Sequence, residues 1–216
     1  VFAIHICYYP DNMKDSQLNK RIQRQAEALI PTPWGTFNMV AYAHSSDDWM
    51  PHIALVHESM DPSQPVLTRI HSECMTGDLF GSKRCDCGEQ LTRALEMASA
   101  EGGIVLYLRQ EGRGIGIINK LKAYQLQDEG HNTIDANLHL GLEVDARQYD
   151  IAVAMLEDLK VHSIRLLTNN PEKIGALEAS TIAITERVPL IIRPQQENRD
   201  YLQTKKFKMG HLFDLL

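Results

Sequence analysis

Apolar positions along this chain fall into two regimes. Early on they come in short β-like runs, Thr36–Ala43 and His52–His57, and the polar stretch Ser45-Ser46-Asp47-Asp48 between them predicts a hairpin. Val66–Ile70 is a further strand candidate. From Glu89 onward, helical and strand periods alternate. Glu89–Ala100 carries Leu91, Leu95 and Ala98 on one face and stops at Gly102-Gly103. Ile104–Leu108 is a continuous apolar strand, Glu111–Gly116 a glycine-rich loop, and Ile117–Asp128 a helix capped by Gly130. Tyr149–Leu159 reads as another helix. A compact βαβ pattern then follows: strand Ser163–Leu167, helix Pro171–Ala179, strand Ile182–Val188.

The two ends are less patterned. Asp11–Ile30 is polar, with Leu18, Ile22 and Ala26 four apart, and predicts a helix closed by Pro31 and Pro33. The C-terminal stretch reads as a polar, basic tail containing Lys205, Lys206 and Lys208. A β-rich start followed by alternating elements predicts an α/β fold, a mixed sheet flanked by helices with a β-rich N-terminal part. Residues 1–30 are expected to form an N-terminal arm and 31–216 a single domain. There is no internal repeat.

Composition narrows the class without naming it. A chain of 216 residues, 44% hydrophobic and 23% charged, buries most of its apolar surface without staples. No run approaches the ~18 apolar residues of a membrane span. The N-terminus lacks the basic start and continuous apolar core of a signal peptide, so a cytoplasmic protein without a membrane partner is expected. A net charge of −6 argues against non-specific nucleic-acid binding. Any phosphate binding must therefore come from local Arg and Lys clusters. The chain opens on Val1 rather than Met, which fits a fragment, a processed chain or a truncation equally.

Three of the four cysteines, Cys74, Cys85 and Cys87, fall close together, with Cys7 far away. That pattern does not suit disulfides, but it can place three thiolates around one soft cation. Cys85 and Cys87 precede a predicted helix, whose N-terminus favours thiolate over thiol. Zinc suits such a ligand set, and three protein ligands leave the open fourth position of a catalytic site. Two other readings stay open: a closed structural site completed by His71 or Cys7, and three ordinary buried thiols.

Other segments suggest anion handling. Arg69-Ile70-His71-Ser72-Glu73 runs directly into Cys74, and the planar fork of an arginine suits phosphate; a surface Arg–Glu pair is the plainer reading. Arg109–Gly116 follows a buried strand and opens a helix, so its backbone N–H groups could face phosphate, or the glycines could serve the turn alone. Asn170 is a good N-cap and Pro171 fits the first helical position. Lys173 then stands in the first turn, where a cation is disfavoured unless an anion binds there or water covers it. Asp145 and Arg147 could be a simple surface pair.

Taken together, Arg69–Asp78 (RIHSECMTGD), Arg84–Gly88 (RCDCG), Arg109–Gly116 (RQEGRGIG), Leu167–Lys173 (LTNNPEK) and Glu186–Leu190 (ERVPL) resemble GTP cyclohydrolase II, in matching order and spacing from about Pro31 to Leu212. The resemblance implies a catalytic domain over 31–216. It implies zinc held by Cys74, Cys85 and Cys87, and GTP contacts from Arg69, Ile70, His71, Ser72, Glu73, Gln90, Glu111, Gly112, Arg113, Thr133, Thr168 and Lys173. It implies Asp145 as general acid/base, Arg147 as a nucleophile on the α-phosphorus, and Mg2+ with the triphosphate. Arg147 has a competing role, electrostatic stabilisation, because a guanidinium is almost never a free base at neutral pH. The expected products are formate, pyrophosphate and a diaminopyrimidine bearing a ribosyl phosphate, and the expected assembly is a homodimer. Tyr124 stands where the family has a tyrosine near zinc, and its presence implies that deformylation goes to completion; a half-buried helix tyrosine is the plainer reading.

Departures are few. Glu172 replaces a lysine of many relatives, and Ser180-Thr181 a glycine-containing turn. A different zinc hydrolase would keep the cysteines but has no need of Arg147, Lys173 and Thr168 together. A non-catalytic binding module would have lost a cysteine, Asp145 or Arg147, and none is lost.

Overall fold

A computed structural model describes residues 22–212, apart from the side chains of Thr133 and Asp200. Its strands are β1 (Gln23–Thr32), β2 (Gly35–Ala43), β3 (His52–His57), β4 (Val66–Ser72), β5 (Ile104–Leu108), β6 (Ser163–Leu167) and β7 (Ala183–Val188). Its helices are α1 (Met75–Asp78), α2 (Cys87–Glu101), α3 (Gly116–Asp128), α4 (Thr133–His139), α5 (Asp150–Asp158), α6 (Pro171–Glu178) and α7 (Arg199–Met209). All seven strands join one sheet in the order β1-β2-β3-β5-β4-β6-β7. The first four of that order pair antiparallel, and β5, β4, β6 and β7 run parallel. The fold is thus the expected mixed α/β sheet with its β-rich part first.

Side-chain alternation on the central strands builds two cores. Ile104, Leu106 and Leu108 of β5 join Ile70, Met155, Leu156 and Leu177 on one face, under α5 and α6. Val105 turns to the other face and meets Leu67, Ala94, Leu95 and Ala98, under α2. Each such large side chain contributes about 1.5–3 kcal/mol by leaving water. Successive parallel strands therefore send their following helices to opposite faces: β4 leads to α2 on one side, and its neighbour β6 leads to α6 on the other. A crevice opens where adjacent chains part in this way, at the carboxyl ends of the strands.

The helix expected over Asp11–Ile30 does not hold where it can be compared. Residues 11–21 lie outside the described residues, as do the other N-terminal arm positions before them. Residues 23–30 are strand, antiparallel to β2, with Ile30 opposite Phe37 and Pro31 opposite Thr36. β1 is an edge strand, where a proline's missing N–H costs no ladder bond. Its side chains are mostly exposed, so the alternation that marks a half-buried strand is faint in the sequence. The basic tail also contains structure, since residues 199–209 form α7.

Candidate active site

The chain enters the crevice from β4. Cys74 stands just beyond the strand, at the start of α1, while Cys85 and Cys87 flank Asp86, the N-cap of α2. Their three sulfurs lie within 4.8 Å of one another, with Cys74 and Cys85 Sγ 3.6 Å apart. Glycines permit that approach. A Cβ on Gly77 would stand 2.9 Å from Cys85 Sγ, and one on Gly88 only 2.4 Å from the Gly77 carbonyl oxygen. The Cys85 and Cys87 thiols donate towards Cys74, with the Lys120 ammonium beside it, and these hold the Cys74 thiol far below its ordinary range. The same contact pushes Cys85 up to about 11. Three sulfurs crowded so closely are a donor set for a soft or borderline cation. Among the described residues no fourth His, Cys, Asp or Glu ligand atom joins them. Cys7 lies outside the described residues.

His71 is turned elsewhere. Its Nε2 is 3.1 Å from Asp78 Oδ1, and its ring stacks on Tyr107 with centroids 5.6 Å apart. Asp78 Oδ2 also accepts from the Tyr107 hydroxyl at 2.9 Å and from the Cys74 backbone N–H at 2.9 Å. The buried Asp78 thus fixes the backbone at the first cysteine. Glu111 fixes it from the glycine turn: Oε2 accepts from Met75 N at 2.6 Å, and Oε1 from Gly112 N at 2.8 Å and Lys120 Nζ at 2.8 Å. Glu73 pairs with Arg109 at 3.1 Å.

The other end of the crevice is cationic. Arg69 is buried on the α2 side of β4, donating to the Leu167 carbonyl at 3.1 Å and to Gln90, which in turn donates to Asp86. It makes no surface pair with a glutamate. Gly112 and Arg113 both take left-handed φ, 62° and 63°. Glycine does so freely, whereas for arginine it costs roughly 1–2 kcal/mol. Both terminal nitrogens of the strained Arg113 are buried without a hydrogen-bond partner among the described residues. Lys173 is 5% exposed, which removes solvent cover as its explanation. Its ammonium donates to the Ile70 carbonyl at 2.7 Å, so Ile70 offers its backbone while its side chain sits in the core. Burial, then repulsion from Arg69, Arg147 and Lys205, pulls the Lys173 ammonium well below its ordinary range.

Asp145 and Arg147 do pair, but as a largely buried unit, their side chains 12% and 11% exposed. Arg147 Nε donates to Asp145 Oδ1 at 2.8 Å and Nη2 donates to Oδ2. Burial opposes both charges; the mutual hydrogen bonds outweigh it, holding Asp145 below and Arg147 above their usual ranges. Thr168 Oγ1 accepts from Asn170 N at 3.0 Å, and Asn170 caps α6 by accepting from Glu172 N at 2.8 Å, worth about 1 kcal/mol. Tyr124 lines the crevice with the cysteines, under the Arg84 guanidinium at 4.9 Å, and burial pushes its hydroxyl up to about 12.

One crevice therefore brings together the cysteines, Arg69, His71, Ser72, Glu73, Gln90, Glu111, Gly112, Arg113, Tyr124, Arg147, Thr168 and Lys173. Asp145 joins through Arg147. Thr133 opens α4, and its side chain lies outside the described ones. Sequence reasoning missed Lys120, Asp78 and the whole of α7, whose Tyr201, Leu202, Lys205 and Met209 close one wall. Lys205 reaches Asp86, between the two paired cysteines, at 3.2 Å. The signal for α7 was legible: Tyr201, Lys205 and Met209 recur every four residues.

A family model for GTP cyclohydrolase II matches residues 23–189. The chain belongs to the GTP cyclohydrolase II family. This family member is 52% identical over 195 residues to the riboflavin biosynthesis protein RibBA of Bacillus cereus, and as similar to RibBA of Bacillus mycoides. The match takes in 90% of the chain and 49% of each relative, so the chain spans about half the length of the curated relatives it matches. RibBX of A. baumannii, solved as a two-domain 3,4-dihydroxy-2-butanone 4-phosphate synthase, is similar at 16% identity with a TM-score of 0.43, over 79% of this chain and 42% of that one. The cyclohydrolase family match begins at the first residue of β1 and ends just after β7, so α7 and its side chains in the crevice lie beyond it.

Proposed function

We propose that this chain hydrolyses GTP, opening the imidazole ring at C8 and releasing formate and pyrophosphate, the first step of riboflavin biosynthesis. One observation carries the reading: three clustered sulfurs share a crevice with a surplus of buried cations. The sulfurs fit zinc, whose Lewis acidity, when bound by Cys74, Cys85 and Cys87, would activate water for attack on the ring. A nucleoside triphosphate is the ligand that needs both ends at once.

The roles of the chain's own residues follow from their surroundings. Arg113 and Lys173 have no carboxylate partner among the described residues and bind phosphate oxygens, with Arg69 at the same wall and Thr168 as a hydroxyl donor. Ile70, His71, Ser72 and Glu73 hold the β4 end against the ligand. Gln90 and Glu111 act mainly by orienting Arg69 and the cysteine turn. Arg147 is assigned to charge stabilisation at the α-phosphate, since two arms on Asp145 make loss of its proton harder still. Asp145 keeps that guanidinium aimed and remains the acid/base candidate. Tyr124 orients water for deformylation. Mg2+ accompanies the triphosphate and takes up charge the protein leaves over. The catalytic unit is residues 31–216, with 1–30 an extension that supplies part of the edge strand, and the working form is a cytoplasmic homodimer.

Incubation with GTP and Mg2+, following formate and pyrophosphate with and without a zinc chelator, tests the reading. Equal release of both products, abolished by the chelator and restored by zinc, is expected. Turnover indifferent to complete zinc removal would sink it.

A further inference from the structure

An ammonium in contact with a metal ligand is an unusual neighbour, because it opposes the cation that the ligand is there to hold. Lys120, on α3, occupies such a place. Its Nζ donates to Cys74 Sγ at 3.1 Å, to Thr76 Oγ1 at 2.9 Å and to Glu111 Oε1 at 2.8 Å. Those contacts use all three N–H donors of the group, so it is held rather than free to swing out. The anchor is firm, since Glu111 is itself tied to the backbone of Met75 and Gly112. The side chain is buried, and water does not dilute the contact. Cys74 is thereby distinguished from Cys85 and Cys87, because its sulfur shares its lone-pair density with a full positive charge.

We propose that Lys120 is a positioning residue that acts through Cys74, drawing charge off that sulfur so that the divalent ion bound by the three cysteines keeps more of its Lewis acidity. This rests on the metal reading given above. Through Glu111 the same lysine ties the sulfur cluster to the Gly112–Arg113 turn, so the two ends of the crevice share one anchored element.

The experiment substitutes cobalt(II) for zinc in the full chain and reads the sulfur-to-cobalt charge-transfer band in the near ultraviolet. In Lys120→Met, loss of the N–H···S bond raises the sulfur lone pair, and the band should move to longer wavelength. Zinc-loaded Lys120→Met should lose about 10–100-fold in kcat, as removal of a partner behind a metal ligand commonly does, with KM for GTP little changed. Lys120→Arg, which restores charge and donors, should return the band towards its original position. A cobalt-loaded, folded Lys120→Met with an unmoved band overturns the proposal. Should that variant fail to load, Lys120→Leu, which also lacks a donor, serves in its place: a shifted band supports the role and an unshifted one overturns it. If the unaltered protein shows no such band, the metal reading itself fails, which is a separate result.

Discussion

At the sulfur end of the crevice the acids all have protein partners. Asp78 takes up His71, Tyr107 and a backbone N–H, and Glu111 takes up Lys120 and two backbone donors. At the other end, among the described residues, Arg113 keeps two buried nitrogens without hydrogen bonds, and Lys173 has one carbonyl acceptor and the Tyr149 ring beside two arginines and a lysine that repel it. The first end is braced to hold its sulfurs whether or not a ligand is present. The second is held together against its own repulsion by the sheet and by α6. Such an end gains stability only when an anion arrives, so the two ends should respond in opposite ways to mutation.

The largest effect should come from the braced end. Cys85→Ser removes one of three sulfurs but leaves Asp78 and Glu111 in place. Metal content per chain should collapse, and turnover should fall by more than the ~100-fold typical of losing an outer partner. Folding should survive, because the bracing carboxylates do not depend on the ion. Elemental analysis and thermal melting of the same sample test both halves; loss of the fold together with the metal would show that the bracing is not independent.

Lys173→Met should invert that result. GTP binding, measured by calorimetry, should weaken by about 10–100-fold, the value of a charged hydrogen bond. The ligand-free protein should melt higher, because a buried cation among cations is gone. The pH dependence has a definite sign. In the unfolded chain a lysine holds its proton to about pH 10.4. In the folded protein burial and the neighbouring cations make Lys173 release it earlier, so the unfolded state binds more protons in that window. Stability should therefore rise with pH from below its folded value up to the unfolded one. The difference between the unaltered protein and Lys173→Met in denaturant titrations should shrink over that range. A difference that does not change with pH would mean that Lys173 is not strained.

Tyr124→Phe probes the boundary between the two ends. With a role in deformylation, formate release should slow by about 100-fold or more, the contribution of a positioned acid or base, while pyrophosphate release is little changed. Equal slowing of both would place Tyr124 in binding instead.

The comparison also explains what the sequence could reveal. Ile104–Leu108 was legible to the residue because it is a continuous apolar run, and Ser163–Leu167 because its Ile164, Leu166 and Leu167 open a compact βαβ pattern. The cysteine trio and the Asn170–Pro171 cap were legible because local spacing decides them. Lys120 was not: it shares a weakly amphipathic helix with Lys122, and nothing local says which ammonium turns inward. Arg69 and Lys173 come together only because β4 and β6 pair, a contact across about a hundred residues. β1 was misread because an exposed edge strand leaves only a weak period in the sequence.

The smallest effect should come from a place that touches neither end. Asp158 closes α5 and accepts from Arg24 Nε at 2.9 Å, from Arg24 Nη2 at 2.7 Å and from the Tyr42 hydroxyl at 2.6 Å. It thereby fastens β1 and β2 to the helix layer. Neither Asp158 nor its partners Arg24 and Tyr42 line the crevice. The Asp158 side chain is 43% exposed, so the ion pair with Arg24 is heavily screened and the Tyr42 hydrogen bond should dominate. Asp158→Ala should cost about 1 kcal/mol in denaturant unfolding, with metal content and GTP affinity unchanged. Loss of metal in that variant would mean that the sulfur end depends on the edge of the sheet, and that Asp78 and Glu111 do not suffice to brace it.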